Sequence, residues 1–317
     1  MKESKTNIIE VTCKSALNKL KRKERKVPFG WDLNIYRGCE HTCKYCFAIY
    51  SHDYLNDNDY FGNIYVKTNI VEQLESELKS KTWKREIINI GGVTDSYQPC
   101  EANYKIMPEI LKLLIKYKTP AIISTKSNLI LRDYDLIDEL SKITYINVAT
   151  TITTTDEKIR QCLEPGSCET VKRFDILNCF RKTNASVGLH VMPIIPCITD
   201  SYENLKSICH YAQQADVHYM LPETLYLRGK TKYYFCEFVK TKYPHLYNNL
   251  LSLYKTGSIG KEYKDKLYKM VNELKGKYKI SSNYSKPIKE KMHKVHFIEQ
   301  LHMNFIKNSV SKNMHTQ

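Results

Sequence analysis

No stretch of this 317-residue chain approaches the roughly 18 consecutive apolar residues that a membrane-spanning helix needs. Met1-Lys2-Glu3-Ser4-Lys5 leads into no apolar core of a secretory signal. The expectation is a cytoplasmic protein with no membrane partner. Internal repeats and low-complexity tracts are missing as well. Arginine is scarce: nine of the 49 Lys+Arg, leaving 49 − 9 = 40 lysines. Arginine reads phosphates and base edges better than lysine does, so its scarcity tempers what the charge implies.

Hydrophobic residues make up 42% and charged residues 26%, which excludes wholesale disorder. The length allows one large domain or two small ones, with ample chain to bury a core. Net charge is 49 − 34 = +15, a field that attracts polyanions such as DNA or RNA. Lysine, asparagine, isoleucine and tyrosine are all abundant, so part of that charge reflects a general compositional bias. The run Lys21-Arg22-Lys23-Glu24-Arg25-Lys26 is either a solvated face or a phosphate-contacting arm. Eleven cysteines is an odd number. In a reducing compartment, close-set cysteines hold a metal or do redox chemistry sooner than they form disulfides.

Short β-rich runs alternate with amphipathic segments. The runs are 34–36, 87–90, 121–125, 145–150, 187–192 and, more weakly, 218–220. Between them, 70–84, 105–118, 133–143, 169–183 and 202–214 carry apolar residues at helical spacing. This order predicts a parallel α/β fold. Six units are too few for a closed eight-stranded barrel, so we expect a partial (β/α)6 TIM-like barrel or an open sheet. Segments 229–254 and 261–278 read as a helical C-terminal extension rich in Lys and Tyr. The expected division is a basic N-terminal arm over 1–26, a barrel over 27–228 and the extension over 229–317, its last ten or so residues frayed.

The strongest local feature is Cys39-Glu-His-Thr-Cys43-Lys-Tyr-Cys46, three thiols in eight residues just after a strand. Arg37-Gly38 permit a tight entry. A structural zinc site wants four ligands, with His41 or His52 as the fourth. A redox dithiol would use Cys43 and Cys46 and leave Cys39 unexplained. An iron–sulfur cluster takes one thiolate per iron, so three thiolates on four irons leave one iron open. The remaining cysteines include Cys162, Cys168 and Cys179, whose wide spacing argues against a second cluster.

C-x3-C-x2-C with an aromatic before the last cysteine resembles the radical S-adenosylmethionine (SAM) superfamily. YRGCEHTCKYCFA is similar to the branch around spore photoproduct lyase, the DNA-repair-photolyase-like proteins. Further segments match in order between about residues 26 and 275: Gly91 to Pro99 (GGVTDSYQP), Ser124-Thr125-Lys126-Ser127, Leu163-Glu164-Pro165 with Arg173, Leu221-Pro222-Glu223 and Tyr243-Pro244. The resemblance implies an enzyme with a [4Fe–4S] cluster and SAM as cofactors. The open iron would chelate SAM, and reductive cleavage would give a 5′-deoxyadenosyl radical that abstracts hydrogen from substrate. Flavodoxin or ferredoxin would supply the electron.

It further implies that Cys39, Cys43 and Cys46 ligate the cluster and that Tyr45 and Phe47 pack near the adenine. Gly91 and Gly92 would admit the methionine amino group, with Asp95 accepting from it or ordering its loop. Lys126 would pair with the methionine carboxylate. Thr150 and Thr151 would hold the ribose, and Met192-Pro193-Ile194 would line the adenine pocket. Glu164 and Arg173 would brace the wall as an ion pair. In the lyase branch a cysteine near the second strand's end returns hydrogen to the product. The matching position here is Gly92, so that chemistry is doubtful, and Cys100 is the substitute candidate. The substrate is expected to be nucleic acid, in repair or modification. A peptide or small metabolite is the alternative substrate, and a non-catalytic metal-stabilised nucleic-acid-binding module is the alternative of another class.

Overall fold

The computed structural model describes residues 6–20 and 27–292. The basic run 21–26 and the tail beyond 292 lie outside them. Ten strands are found among the described residues: β1 (Asn7–Val11), β2 (Leu17–Lys19), β3 (Trp31–Leu33), β4 (Tyr36–Arg37), β5 (Asn63–Lys67), β6 (Ile88–Ile90), β7 (Ala121–Thr125), β8 (Ile146–Thr151), β9 (Ser186–Ile194) and β10 (Tyr219–Thr224). Seven form one sheet in the order β2-β3-β6-β7-β8-β9-β10. The six from β3 to β10 run parallel, and β2 pairs antiparallel at the edge. Helices such as Ile70–Lys79, Ile106–Lys116, Tyr134–Ile143, Thr170–Phe180 and Tyr202–Gln214 make the crossovers. This is the partial (β/α)6 barrel, with helices following at the C-terminal end.

The period of two along each strand separates two environments. Leu33, Ile88, Ile90, Ile123, Val148, Val187 and Leu189 join the hydrophobic core under the helices. The residues between them face the barrel interior and are largely polar: Asp32, Asn89, Ser124, Asn147 and His190. Asn89 donates to Asp32 at 2.8 Å, and Tyr219 donates to Asn147 at 2.9 Å. At the floor, Ile87, Ile122 and Tyr145 pack with Phe29 and with Ile288 and Met292 of the last helical segment, 285–292. The interior is therefore closed below by the C-terminal segment.

Several expectations need correction. The first barrel strand is Trp31–Leu33, not 34–36, because Asn34 leaves the ladder to receive Val93 N–H on its side chain (3.0 Å) and Lys67 Nζ on its carbonyl (2.7 Å). Tyr36–Arg37 belongs instead to a second sheet, β1-β5-β4. Residues 7–19 supply strands to both sheets, β1 pairing with β5 and β2 with β3. The helix expected over 229–254 stops at Lys242, since the residue before Pro244 disfavours helical backbone; shorter turns follow. Helix 70–84 ends at Lys79. The helix Ile106–Lys116 falls within the expected 105–118 and starts where the buried Glu101 carboxylate accepts from the Ile106 and Met107 amides. The helix Lys261–Lys277 buries Leu267, Val271 and Leu274 against the barrel core. No helix among the described residues is long and apolar enough to cross a membrane.

Candidate active site

The cysteine loop leaves β4 at Gly38, whose φ is +85°. A Cβ there would lie 2.5 Å from the Asn63 carbonyl oxygen and 2.9 Å from that of Tyr60, so the position demands glycine. Two turns follow, closed by Thr42 N–H to the Cys39 carbonyl and Cys46 N–H to the Cys43 carbonyl. The chain then enters the 3-10 helix Phe47–Leu55.

Two loops clamp it. On one side, Thr94 Oγ1 donates to the Gly38 carbonyl (2.6 Å), the Glu40 amide to Gln98 Oε1 (2.9 Å) and the Cys100 amide to Glu40 Oε2 (2.6 Å). His41 Nδ1 sits 3.2 Å from Asp95 Oδ2. On the other side, the Lys44 amide donates to the Leu163 carbonyl and Gly166 N–H to the His41 carbonyl. A Cβ on Gly166 would lie 2.2 Å from the Glu40 carbonyl oxygen. Glu164 and Arg173 stand behind, fully buried, with Glu164 Oε2 2.5 Å from Arg173 Nη1. The Tyr45 hydroxyl donates to Glu164 Oε1. The ion pair thus braces the loop through Tyr45.

Cys39, Cys43 and Cys46 all line one cavity of about 510 Å³ at the C-terminal end of the parallel strands, where βα-loop active sites of barrels lie. Burial pushes the Cys43 thiol up to about 12, against the pull of Lys126. Burial also pushes Cys39 well up, and the Asp95 carboxylate and the two neighbouring thiols add to it. Three crowded, buried thiols become thiolates only beside a strong positive charge. A polycationic cluster supplies one. Among the described residues no three His, Cys, Asp or Glu side chains converge closely enough for a single metal ion. His52 is not among the cavity's lining residues, and its Nε2 meets the Asn63 carbonyl (3.0 Å); His41 lines the cavity, with its Nδ1 held by Asp95. The donor set fits a cluster whose irons take one thiolate each.

Tyr45, Phe47, Gly91, Gly92, Asp95, Lys126, Thr151, Met192 and Pro193 also line this cavity. Asp95 is fully engaged: Tyr97 N–H and Thr125 Oγ1 donate to one oxygen, and Lys126 N–H and His41 meet the other. Despite burial, which opposes it, His41 and these donors hold the carboxyl down at about 2. Asp95 therefore orders the loop and has no oxygen left for a ligand. The Lys126 ammonium lies 5.9 Å from the Tyr45 ring centroid. Burial disfavours its charge, but Cys43 and Glu164 raise its pKa. The cavity thus presents one firmly charged cation.

Three expected residues lie elsewhere. Thr150 is on the helix-facing side of β8, one residue out of phase with Thr151, and its hydroxyl is buried without a partner. Ile194 joins the core under the helices. Cys100 is packed in that core, its amide bound by Glu40, and does not reach the cavity. Cys162, Cys168 and Cys179 sit outside the cavity on separate elements. The cavity also gathers Tyr60, Asn89, Ser124, Glu223 and Tyr226, which sequence reasoning did not assign. Asn89 and Ser124 carry a readable mark, a polar side chain alternating with apolar ones inside a strand. Tyr60 carries none, because it arrives through a segment without periodicity.

Comparison with known proteins places this arrangement. The chain is 33% identical over 279 residues to an uncharacterised protein of Mycobacterium tuberculosis, covering 87% of this chain and 82% of that one. It is 29% identical over 240 residues to an uncharacterised protein of Methanocaldococcus jannaschii, covering 75% and 80%. Its fold is similar to that of spore photoproduct lyase complexed with dinucleoside spore photoproduct, at a TM-score of 0.62 and 12% identity, over 87% of this chain and 80% of that one. The family model of the Radical SAM superfamily matches residues 33–208, the stretch from the end of β3 into the fifth crossover helix that holds the three loop cysteines and most of the cavity wall. The chain belongs to the radical SAM superfamily and is an enzyme whose cofactors are a [4Fe–4S] cluster and SAM.

Proposed function

We propose that this enzyme modifies or repairs a nucleic acid, taking one residue of the strand into the mouth of the barrel. When bound, the cluster and SAM supply reductive cleavage and hydrogen-atom abstraction. Cys39, Cys43 and Cys46 hold the cluster. Lys126 pairs with the carboxylate of the methionine moiety, and Gly91 and Gly92 keep the end of β6 free of side chains beside it. Tyr45, Phe47 and Met192 provide apolar surface for the adenine, and Thr151 offers a hydroxyl to the ribose. Asp95 and Glu164 keep the loops in place, while the floor packing of Ile288 and Met292 excludes water from below.

The cavity volume carries the substrate reading. About 510 Å³ is the size of a pocket for a single small ligand, and the cofactor takes that place. The bulk of the substrate then stays outside, as that of a polymer does. The net charge of +15 favours a polyanion, and the fold likeness is to an enzyme whose structure holds a dinucleoside photoproduct. A peptide is the second reading, supported by fold likeness to Streptococcus suis SuiB bound to a precursor peptide (TM-score 0.52, 14% identity). Eleven unpaired cysteines suit a reducing cytoplasm, with flavodoxin or ferredoxin as electron donor.

The test is anaerobic binding of the holoenzyme to DNA and RNA oligonucleotides across a salt series, followed by deuterium transfer from bound strands into 5′-deoxyadenosine. Affinity that falls with salt, together with deuterium transfer, supports the reading. Negligible affinity at low salt contradicts it.

A further inference from the structure

Aromatic side chains left exposed in this protein are concentrated in one place. Eight aromatic residues are strongly exposed among the described residues, and six of them belong to two short segments: Phe47, Tyr50 and Tyr54 in the helix after the cysteine loop, and Tyr226, Tyr233 and Tyr234 after β10. The other two, Tyr202 and Tyr211, lie on a crossover helix. Phe47 and Tyr226 line the cavity itself. The two segments are tied together. Thr231 Oγ1 donates to the Cys46 carbonyl at 3.1 Å, and Lys230 Nζ donates to Asn58 Oδ1 at 3.0 Å while pairing with Asp53. Edge-to-face contacts of Tyr50 with Tyr54 and of Tyr233 with Tyr234 fix the attitudes of the rings.

The charge beside these rings is mixed: the first segment carries Asp53, with Asp57 and Asp59 close behind and no lysine or arginine over 45–60, while the second segment is strongly basic. Residues 226–242 carry Arg228, Lys230, Lys232, Lys240 and Lys242 against Glu237 alone. Lys240 is paired with Glu237 and Lys230 with Asp53, and Arg228 and Lys232 stand exposed among the tyrosines. Exposed tyrosines present open ring faces to a partner. Protruding rings interleaved with cations match the way single-stranded nucleic acid is held, bases on rings and phosphates on cations.

We propose that this rim is a stacking platform for unpaired bases flanking the residue that enters the cavity, which makes the preferred substrate single-stranded or locally unpaired. This rests on the nucleic-acid reading above and adds to it where the strand lies and in which state.

The experiment measures binding of the anaerobically reconstituted holoenzyme to a fluorescein-labelled single strand, as DNA and as RNA, to the matching duplex and to polyglutamate. Wild type is compared with Tyr54→Ala, Tyr233→Ala, the double variant, Tyr54→Phe with Tyr233→Phe, and Lys232→Ala. Tyr54 and Tyr233 are 76% and 66% exposed, so their truncation leaves the core intact, and a thermal melt verifies this. The platform predicts a loss of about fivefold or more per alanine substitution with an unchanged salt slope. It also predicts near-wild-type binding by the phenylalanine pair, and a slope shallower by about one for Lys232→Ala. Wild-type affinity in the double alanine variant, tighter binding of the duplex, or equal binding of polyglutamate overturns the platform while leaving a nucleic-acid substrate standing. Absence of salt-dependent binding by wild type to any oligonucleotide overturns both.

Discussion

Glu164 and Arg173 meet 2.5 Å apart with neither side chain exposed to solvent. Arg173 also donates to the Thr151 carbonyl (2.8 Å) and twice to the Cys168 carbonyl (3.0 and 2.9 Å), and Glu164 receives the Tyr45 hydroxyl. One ion pair therefore holds the end of β8, the loop before the helix Thr170–Phe180 and the cysteine loop in register. Removing one member strands the other charge in a buried site. Arg173→Met is expected to cost about 3–5 kcal/mol in denaturant unfolding. Glu164→Gln leaves the Arg173 guanidinium uncompensated in the same buried site and should cost a comparable amount. Small losses in both variants would show that the pair is not the brace.

Two glycines separate backbone fit from helix propensity. Gly166→Ala pushes a methyl group to 2.2 Å from the Glu40 carbonyl oxygen, where only a shift of the cysteine loop can relieve it. Reconstituted iron per chain should fall severalfold while the far-ultraviolet circular dichroism stays native. Gly276→Ala, with nothing within 4 Å inside the helix Lys261–Lys277, should retain iron and gain roughly 0.4–1 kcal/mol. Full iron in Gly166→Ala would refute the clamp.

Lys126 is the single firmly charged cation of the cavity. Lys126→Met should leave four irons per chain in place and weaken SAM binding by roughly 10- to 100-fold, the worth of one charge-assisted hydrogen bond. Calorimetric titration of the holoenzyme with SAM measures this. Unaltered affinity would remove Lys126 from the carboxylate site.

His190 gives the barrel a pH signature. Burial, helped by Lys126, pulls its pKa down to about 4 from the ordinary value near 6.5. Between these values the unfolded chain binds a proton that the folded chain does not. The contribution of this residue is therefore complete above about pH 6.5 and declines as the pH falls toward 4, by at most about 1.4 kcal/mol per pH unit. Urea unfolding at several pH values should show a shallower decline for His190→Gln than for wild type. Parallel curves would contradict it.

Much of this was legible because it is local. The spacing of Cys39, Cys43 and Cys46 needs no tertiary information, and four of the six parallel strands showed as runs containing β-branched residues, with His218-Tyr219-Met220 a weaker fifth. Trp31–Leu33 did not, since Asp32 faces a polar interior and meets Asn89 57 positions away. Alternation separates Thr151 from Thr150, a distinction the pair TT hides until the strand's phase is known. Helix 229–254 overlooked Pro244, a signal that was present. The clamps on the cysteine loop, His41 to Asp95 and Tyr45 to Glu164, join residues 54 and 119 positions apart, and no local pattern encodes them. The same holds for the floor at Ile288 and Met292 and for the core packing that takes Cys100 out of the cavity.

Iron and sulfide content after anaerobic reconstitution, followed by assay of 5′-deoxyadenosine on adding reductant and SAM, tests the central claim most directly. Three thiols serving a cluster with one open iron predict about four irons and four sulfides per chain and 5′-deoxyadenosine release that Cys43→Ala abolishes. Zinc without sulfide, or release that persists in Cys43→Ala, would contradict it.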